Sequence, residues 1–225
     1  MKNLLDRGVV TLVFDDGYQK VYDTVLPILK KHNMPGVFAI PLDGTKLEQS
    51  KHRFVKRQQV VRPWKDWIHI TSDGHEVAAH SVTHTNLTKI EGGQLEQELA
   101  IPKESLEATT FVYPGGGHND KVVEVTSKHY KAARTVIRGF ETVPPKEPYR
   151  LRTFNYSRNN FSVWKANLFA LWAWITNKWL IETYHMIDED DSQMVHTVKP
   201  SEFKKHLSFL SWLPIKVKTI KQVTK

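Results

Sequence analysis

Hydrophobic positions in this chain cluster in short runs separated by longer mixed segments. Strand-length apolar runs are predicted from Val9 to Phe14, Val37 to Pro41, Glu76 to His80, Thr110 to Tyr113, Ala132 to Val136, Leu151 to Asn155, Trp179 to His185 and Ile215 to Ile220. Between the first two, Val21, Val25, Ile28 and Leu29 fall at helical spacing, and Pro35-Gly36 stops that helix. Further helices are predicted over Trp64 to Ser72, Gln94 to Leu106 and Phe161 to Ile175. On the last of these, Phe161, Trp164, Leu168, Leu171, Trp172 and Ile175 share one face, which is taken to face the core. Asp43 to Trp64 is polar, basic and without a clean period, so a long loop or insertion is expected there.

Strands alternating with helices predict an α/β protein built on a parallel sheet, open or closed into a barrel, and 225 residues suit one domain. In either architecture the functional site lies at the C-terminal ends of the strands. The first strand ends in Asp15-Asp16, the third in His80, the fourth in Tyr113-Pro114-Gly115 and the seventh in His185. Carboxylates, imidazoles and a glycine-rich turn therefore meet on one rim.

Asp15-Asp16-Gly17 can divide labour if the chain turns sharply, one carboxylate binding a cation and the other handling a proton, with Gly17 supplying the turn. Alone, such a triplet is more often a simple strand-ending turn. His80 and His84, at i and i+4, would project from the same face of a helical turn and hold one cation. Asp16 with His80 and His84 makes a two-histidine, one-carboxylate set with positions left open.

Composition narrows the chemistry. The chain has no cysteine, so thiolate metal sites, disulfides and cysteine nucleophiles are excluded, and any metal must sit on His, Asp or Glu. The formal net charge is +8, but the 32 Lys and Arg residues are dispersed and carry no nucleic-acid motif, so no specific nucleic-acid partner is expected. The apolar run Leu168 to Ile181 is interrupted by Thr176, Asn177 and Lys178 and is too short to span a bilayer. The start has no leader pattern; the expectation is a cytoplasmic protein, or a secreted or periplasmic one whose leader has been removed.

Four segments together resemble the signatures of the polysaccharide deacetylase (NodB-like, carbohydrate esterase) family. They are Val13-Phe14-Asp15-Asp16-Gly17, Gly74-His75-Glu76 leading to His80-Ser81-Val82-Thr83-His84, Phe111-Val112-Tyr113-Pro114-Gly115, and Thr183-Tyr184-His185. The resemblance implies a distorted (β/α) barrel of about seven strands in a single domain. It also implies hydrolysis of acetamido groups on a carbohydrate substrate at one divalent metal ion, zinc first, with cobalt, nickel or manganese as alternatives. By position it makes Asp15 the general base and Asp16, His80 and His84 the metal ligands. The Tyr113 backbone N–H becomes an oxyanion donor, and His185 the acid that protonates the leaving amine.

The chain departs from the pattern in two places. Phe111 and Val112 stand where the family often has an arginine to pair with the base, so Arg150 or Arg152 must supply the charge, Arg152 being preferred. No Asp lies between Asp120 and Asp188 to orient His185, which leaves Asp188, Asp190 or Glu182 as candidates, or no carboxylate partner at all. His118, His129, His196 and His206 show no partner pattern and read as surface or packing residues. Trp64 and Trp67 are the preferred sugar-stacking candidates. The alternatives are an amidase or O-acetyl esterase acting on a non-polymeric substrate, or a catalytically silent carbohydrate-binding member.

Overall fold

The computed structural model describes residues 7–49, 59–189 and 194–225. Seven parallel strands follow one another around a closed barrel: β1 (Val9–Phe14), β2 (Val37–Ile40), β3 (Glu76–Ala79), β4 (Thr110–Val112), β5 (Ala132–Arg138), β6 (Leu151–Asn155) and β7 (Trp179–Tyr184). The barrel shuts where β7 pairs with β1 over its whole length, from Val9 opposite Trp179 to Phe14 opposite Tyr184. Two later strands, β8 (Met186–Ile187) and β9 (Thr197–Val198), form a separate ribbon beyond the rim.

The barrel is distorted at β1. Its end pairs with β2, while its start pairs with β10 (Lys216–Val217). The expected eighth strand is thus only two residues long, and Ile220 begins a one-turn helix, α7 (Ile220–Val223), closed by a reciprocal Thr219–Gln222 capping box.

The strands are buried on both faces, as a parallel sheet requires. Val9, Val13, Val37, Ala39, Ala78, Val112, Ala132, Leu151, Trp179 and Ile181 fill the interior, with Ile220 packed among them. The intervening residues, such as Leu12, Phe14, Phe38 and Ile40, point outward beneath the helices. Those are α1 (Gln19–His32), α2 (Thr45–Glu48), α3 (Gly92–Ser105), α4 (Asp120–His129), α5 (Val163–Thr176) and α6 (Pro200–Trp212).

Two expectations change. The segment from Asp43 to Trp64 is not wholly irregular: it contains α2 and an antiparallel bridge from Val61 to Tyr18, with residues 50–58 outside the described part. The predicted helix after it is a 3-10 stretch, Trp64–Asp73, in which Trp67 is buried against Phe38 and Tyr22 and cannot serve as a sugar platform.

The larger correction concerns α5. Its buried residues are Ala166, Ala170 and Ala173, while Trp164, Leu168, Trp172 and Ile175 face solvent. The helix is apolar all round, so periodicity alone could not choose the inner face. Small residues won because the helix lies close on the barrel: a Cβ on Gly8 would come within 2.6 Å of the Ala173 carbonyl oxygen.

Candidate active site

The C-terminal ends of the strands open onto a cavity of about 750 Å³ lined in part by Asp15, Asp16, Tyr18, His80, His84, Tyr113, Arg134, His185 and His196. Asp15 and Asp16 leave β1 in different directions because the chain turns left-handed at Asp16 (φ 74°) and Gly17 (φ 66°). The strain of a non-glycine residue at positive φ is thus held beside the cavity.

Asp16 meets both histidines. Its Oδ1 lies 3.4 Å from His80 Nε2 and 3.3 Å from His84 Nε2. One ligand atom from each of the three residues lies within 4.8 Å of the others. His80 Nδ1 stands 2.7 Å from the Val112 carbonyl oxygen, an acceptor only, so Nδ1 carries the proton and the Nε2 lone pair faces Asp16. Burial would raise the Asp16 carboxyl, but the imidazoles of His80, His84 and His185 beside it hold it well below the usual carboxylate range. Burial pushes the His80 imidazole down, against the pull of the neighbouring Asp16 and Asp15 carboxylates. An ionised carboxylate and an imidazole biased toward neutrality fit a divalent cation with open positions.

The histidines do not reach this geometry from a helical turn, as their spacing suggested. Residues 81–84 form an irregular loop in which Ser81 (φ 64°) and His84 (φ 54°) are left-handed. Glu98, on α3, clamps it: one carboxylate oxygen accepts from the N–H groups of Val82 (2.8 Å) and Thr83 (3.0 Å), the other from the Thr83 hydroxyl (2.7 Å). Sequence reasoning missed Glu98, whose signal is a buried acid on the inner face of a helix.

Asp15 is paired with Arg134. Both carboxylate oxygens accept from the same Nη2, at 2.6 and 2.5 Å, and both residues are buried. This corrects the expectation for Arg152, whose Nε bonds Glu141 at 3.1 Å on the half-exposed outside of β6. Arg150 is engaged with Asp120. An arginine within the apolar strand Ala132-Ala133-Arg134-Thr135 was the available signal, since a buried guanidinium demands a counter-charge.

The Tyr113 backbone N–H is also corrected as an oxyanion donor. It donates to the Arg134 carbonyl (3.1 Å) in the β4–β5 pairing. Pro114 has no N–H, and those of Gly116 and Gly117 go to Tyr113 and Pro114. Among the described residues, no backbone carbonyl takes the N–H of Gly115, which lines the cavity. The Tyr113 ring remains a cavity wall, its hydroxyl bonded to the Tyr149 carbonyl and pushed up to about 12 by burial.

His185 follows the last residue of β7 and reaches Asp15, with Nε2 3.7 Å from Oδ2. Its ring lies against His196, centroids 4.8 Å apart. His196 is therefore a cavity residue, and burial with the neighbouring His185 pushes it down to about 4. The expected carboxylate partners of His185 are otherwise occupied: Asp188 pairs with Lys20 and Glu182 with His206, while Asp190 lies outside the described residues. His206 is likewise no surface residue; it is fully buried.

A parallel barrel with an Asp-His-His cluster and a charge-paired carboxylate on its rim can hold a divalent cation beside a group able to exchange protons. The model of the polysaccharide deacetylase family matches residues 2–132, more than half of the chain, and the chain belongs to that family. Among relatives, the peptidoglycan-N-acetylmuramic acid deacetylase PdaA of Bacillus subtilis is 31% identical over 103 residues, covering 45% of this chain and 33% of that protein. The uncharacterised YlxY of the same organism is 24% identical over 150 residues, covering 64% and 42%. The chain spans less than half the length of these curated relatives.

Solved structures share the fold across nearly the whole chain. The Bc1960 peptidoglycan N-acetylglucosamine deacetylase superposes with a TM-score of 0.63 at 14% identity, covering 96% of this chain and 88% of that one. A polysaccharide deacetylase from Mycobacterium smegmatis gives 0.62 at 12%, with the same coverage. No helix among the described residues is long and apolar enough to cross a membrane.

Proposed function

We propose that this chain is a divalent-metal-dependent deacetylase that hydrolyses N-acetyl groups on a saccharide of the N-acetylglucosamine type. The observation that carries this reading is the juxtaposition of the Asp16-His80-His84 cluster with the Asp15–Arg134 pair and His185 around one cavity. The names of the relatives point to acetylated cell-wall sugars as the substrate class.

Asp16, His80 and His84 would hold the cation, zinc first. When bound, it supplies Lewis-acid polarisation of the acyl carbonyl and lowers the pKa of a water. Asp15 takes the proton of the attacking water; Arg134 anchors and aims that carboxylate. His185, on the other side of Asp15, delivers a proton to the leaving amine, which departs poorly as an anion. The Gly115 N–H is the candidate protein donor to the oxyanion.

The test is acetate release from N-acetylglucosamine oligomers by metal-free and zinc- or cobalt-loaded protein. Metal-dependent release that falls about a thousandfold in Asp15→Asn supports the mechanism. Stoichiometric metal binding that needs Asp16, His80 and His84, without release, would discard these substrates in favour of a related amidase or an O-acetyl esterase. Absence of metal binding would favour the silent carbohydrate-binding reading.

A further inference from the structure

The outer face of α5 has no use in the chemistry above. Trp164, Leu168, Trp172 and Ile175 follow one another at spacings of four, four and three residues and form one stripe about 16 Å long. Trp164 is 69% exposed, Trp172 54% and Ile175 50%. Surface-exposed tryptophans carry a large unburied apolar area, and such rows mark interaction surfaces.

The surrounding charge is mostly positive. Between Glu147 and Glu182 the chain contains no Asp or Glu. Arg150 and Arg152 there are paired with Asp120 and Glu141, and Arg158, Lys165 and Lys178 are the other basic residues, while Glu202 is the single acid of the neighbouring α6. Lys165 is exposed beside Trp164 on the stripe's edge, and Lys204 and Lys205 are exposed on the neighbouring α6. Among the described residues, none of these three lysines is ion-paired. An apolar stripe with tryptophans, an exposed lysine at its edge and no carboxylate on its own helix suits a surface that lies in a membrane interface.

We propose that α5 docks this protein onto an anionic lipid surface, with the stripe at the headgroup boundary and the lysines against acidic headgroups. Leu168 between the tryptophans and Ile175 beyond them argue against a sugar platform, because branched aliphatics offer neither a flat face nor hydrogen bonds to hydroxyls. The helix starts after β6 at the cavity end. It finishes at Asn177, whose side-chain oxygen accepts from the Gly8 N–H at the opposite end of the barrel. Docked this way, the barrel lies on its side and the cavity opens along the surface rather than into it.

The experiment is co-sedimentation with vesicles of phosphatidylcholine alone or with roughly a third phosphatidylglycerol, read with tryptophan emission. The wild type is expected to bind the anionic vesicles with a blue shift, and to release at about 0.5 M salt. Trp164→Ser/Trp172→Ser lowers the partition coefficient by roughly tenfold or more, and Lys165→Glu by roughly fivefold or more. Acetate release from soluble oligomers, circular dichroism and melting stay unchanged in both, separating loss of docking from loss of fold or site. No partition of the wild type into anionic vesicles overturns the proposal, as does equal binding to neutral ones. A dimer that the double variant dissociates would assign the stripe to a second copy. Retention on insoluble acetylated polysaccharide, lost in the same variant without vesicle binding, would assign it to carbohydrate.

Discussion

Two carboxylates in this barrel are buried against a basic side chain, and they differ in what is left over. Glu182, on β7, accepts from the Tyr156 hydroxyl (3.1 Å) and the Tyr184 hydroxyl (3.1 Å) and meets His206 Nε2 at 3.0 Å. His206 Nδ1 in turn meets Asn167 Oδ1 at 2.7 Å. Burial, with the charge of Glu182, pushes both tyrosine hydroxyls well up, so they remain donors. Every oxygen there is spent within the protein. Asp15 has one cationic anchor in Arg134, a histidine at 3.7 Å and an open cavity. A saturated buried acid is an architectural group, whereas one with spare acceptor capacity facing a cavity can exchange protons.

That contrast can be broken most severely at Arg134. Arg134→Met strands Asp15 in a buried setting, and acetate release should fall about a hundredfold with roughly 3 kcal/mol of stability. Arg134→Lys should recover stability better than rate, because an ammonium lacks the rigid plane that holds the Thr135 carbonyl through Nη1 and Asp15 through Nη2. Full activity in Arg134→Met would refute the assignment of that residue to the base.

On the other side, Glu182→Gln should cost roughly 3 kcal/mol in urea unfolding with the rate per folded molecule intact. Combining it with His206→Gln should restore part of the loss, as for one coupled pair. A drop in kcat at full folding would show that Glu182 reaches the chemistry.

Smaller effects sharpen the picture at the loop and at the cavity wall. Glu98→Gln should weaken metal affinity roughly tenfold, measured by competition with a chelator, since it loosens the loop that aims His84. His196, held near 4 against an ordinary 6.5, is neutral in the folded protein while the unfolded chain takes up a proton. The stability it contributes is present above about pH 6.5 and is lost as pH falls toward 4. His196→Gln should flatten the slope of stability with pH in that window. An unchanged slope would assign it to other groups.

The parts of the site that were legible in the sequence sit at strand ends: Asp15, Asp16, His80 and His185 each follow or close an apolar run. The seven parallel strands were legible for the same reason, because double burial writes each as a short apolar block. Arg134 and Glu98 escaped because one lies within a strand and the other on a helix, where the eye expects packing. Tyr113 was misassigned because its N–H belongs to the β4–β5 ladder, and hydrogen-bond pairing is invisible before register is known. The face of α5 was misread because bulk, not smallness, was taken as the mark of burial; the alanines sit where backbone approach is tightest.

The seam between β1 and β7 also sets an order of events in folding. Val9 pairs with Trp179 and Phe14 with Tyr184, and the Asp15 N–H donates to the Tyr184 carbonyl at 2.9 Å. Nearly the whole chain must be in hand before that ladder forms, and closing so long a loop carries an entropy cost that no local contact repays early. Asp15 and His185 stand at either side of the seam. Asp15 and His185 are therefore brought together by the last stitch of the barrel, and a chain cut before β7 keeps Asp16, His80 and His84 while losing His185, the proposed proton donor to the amine.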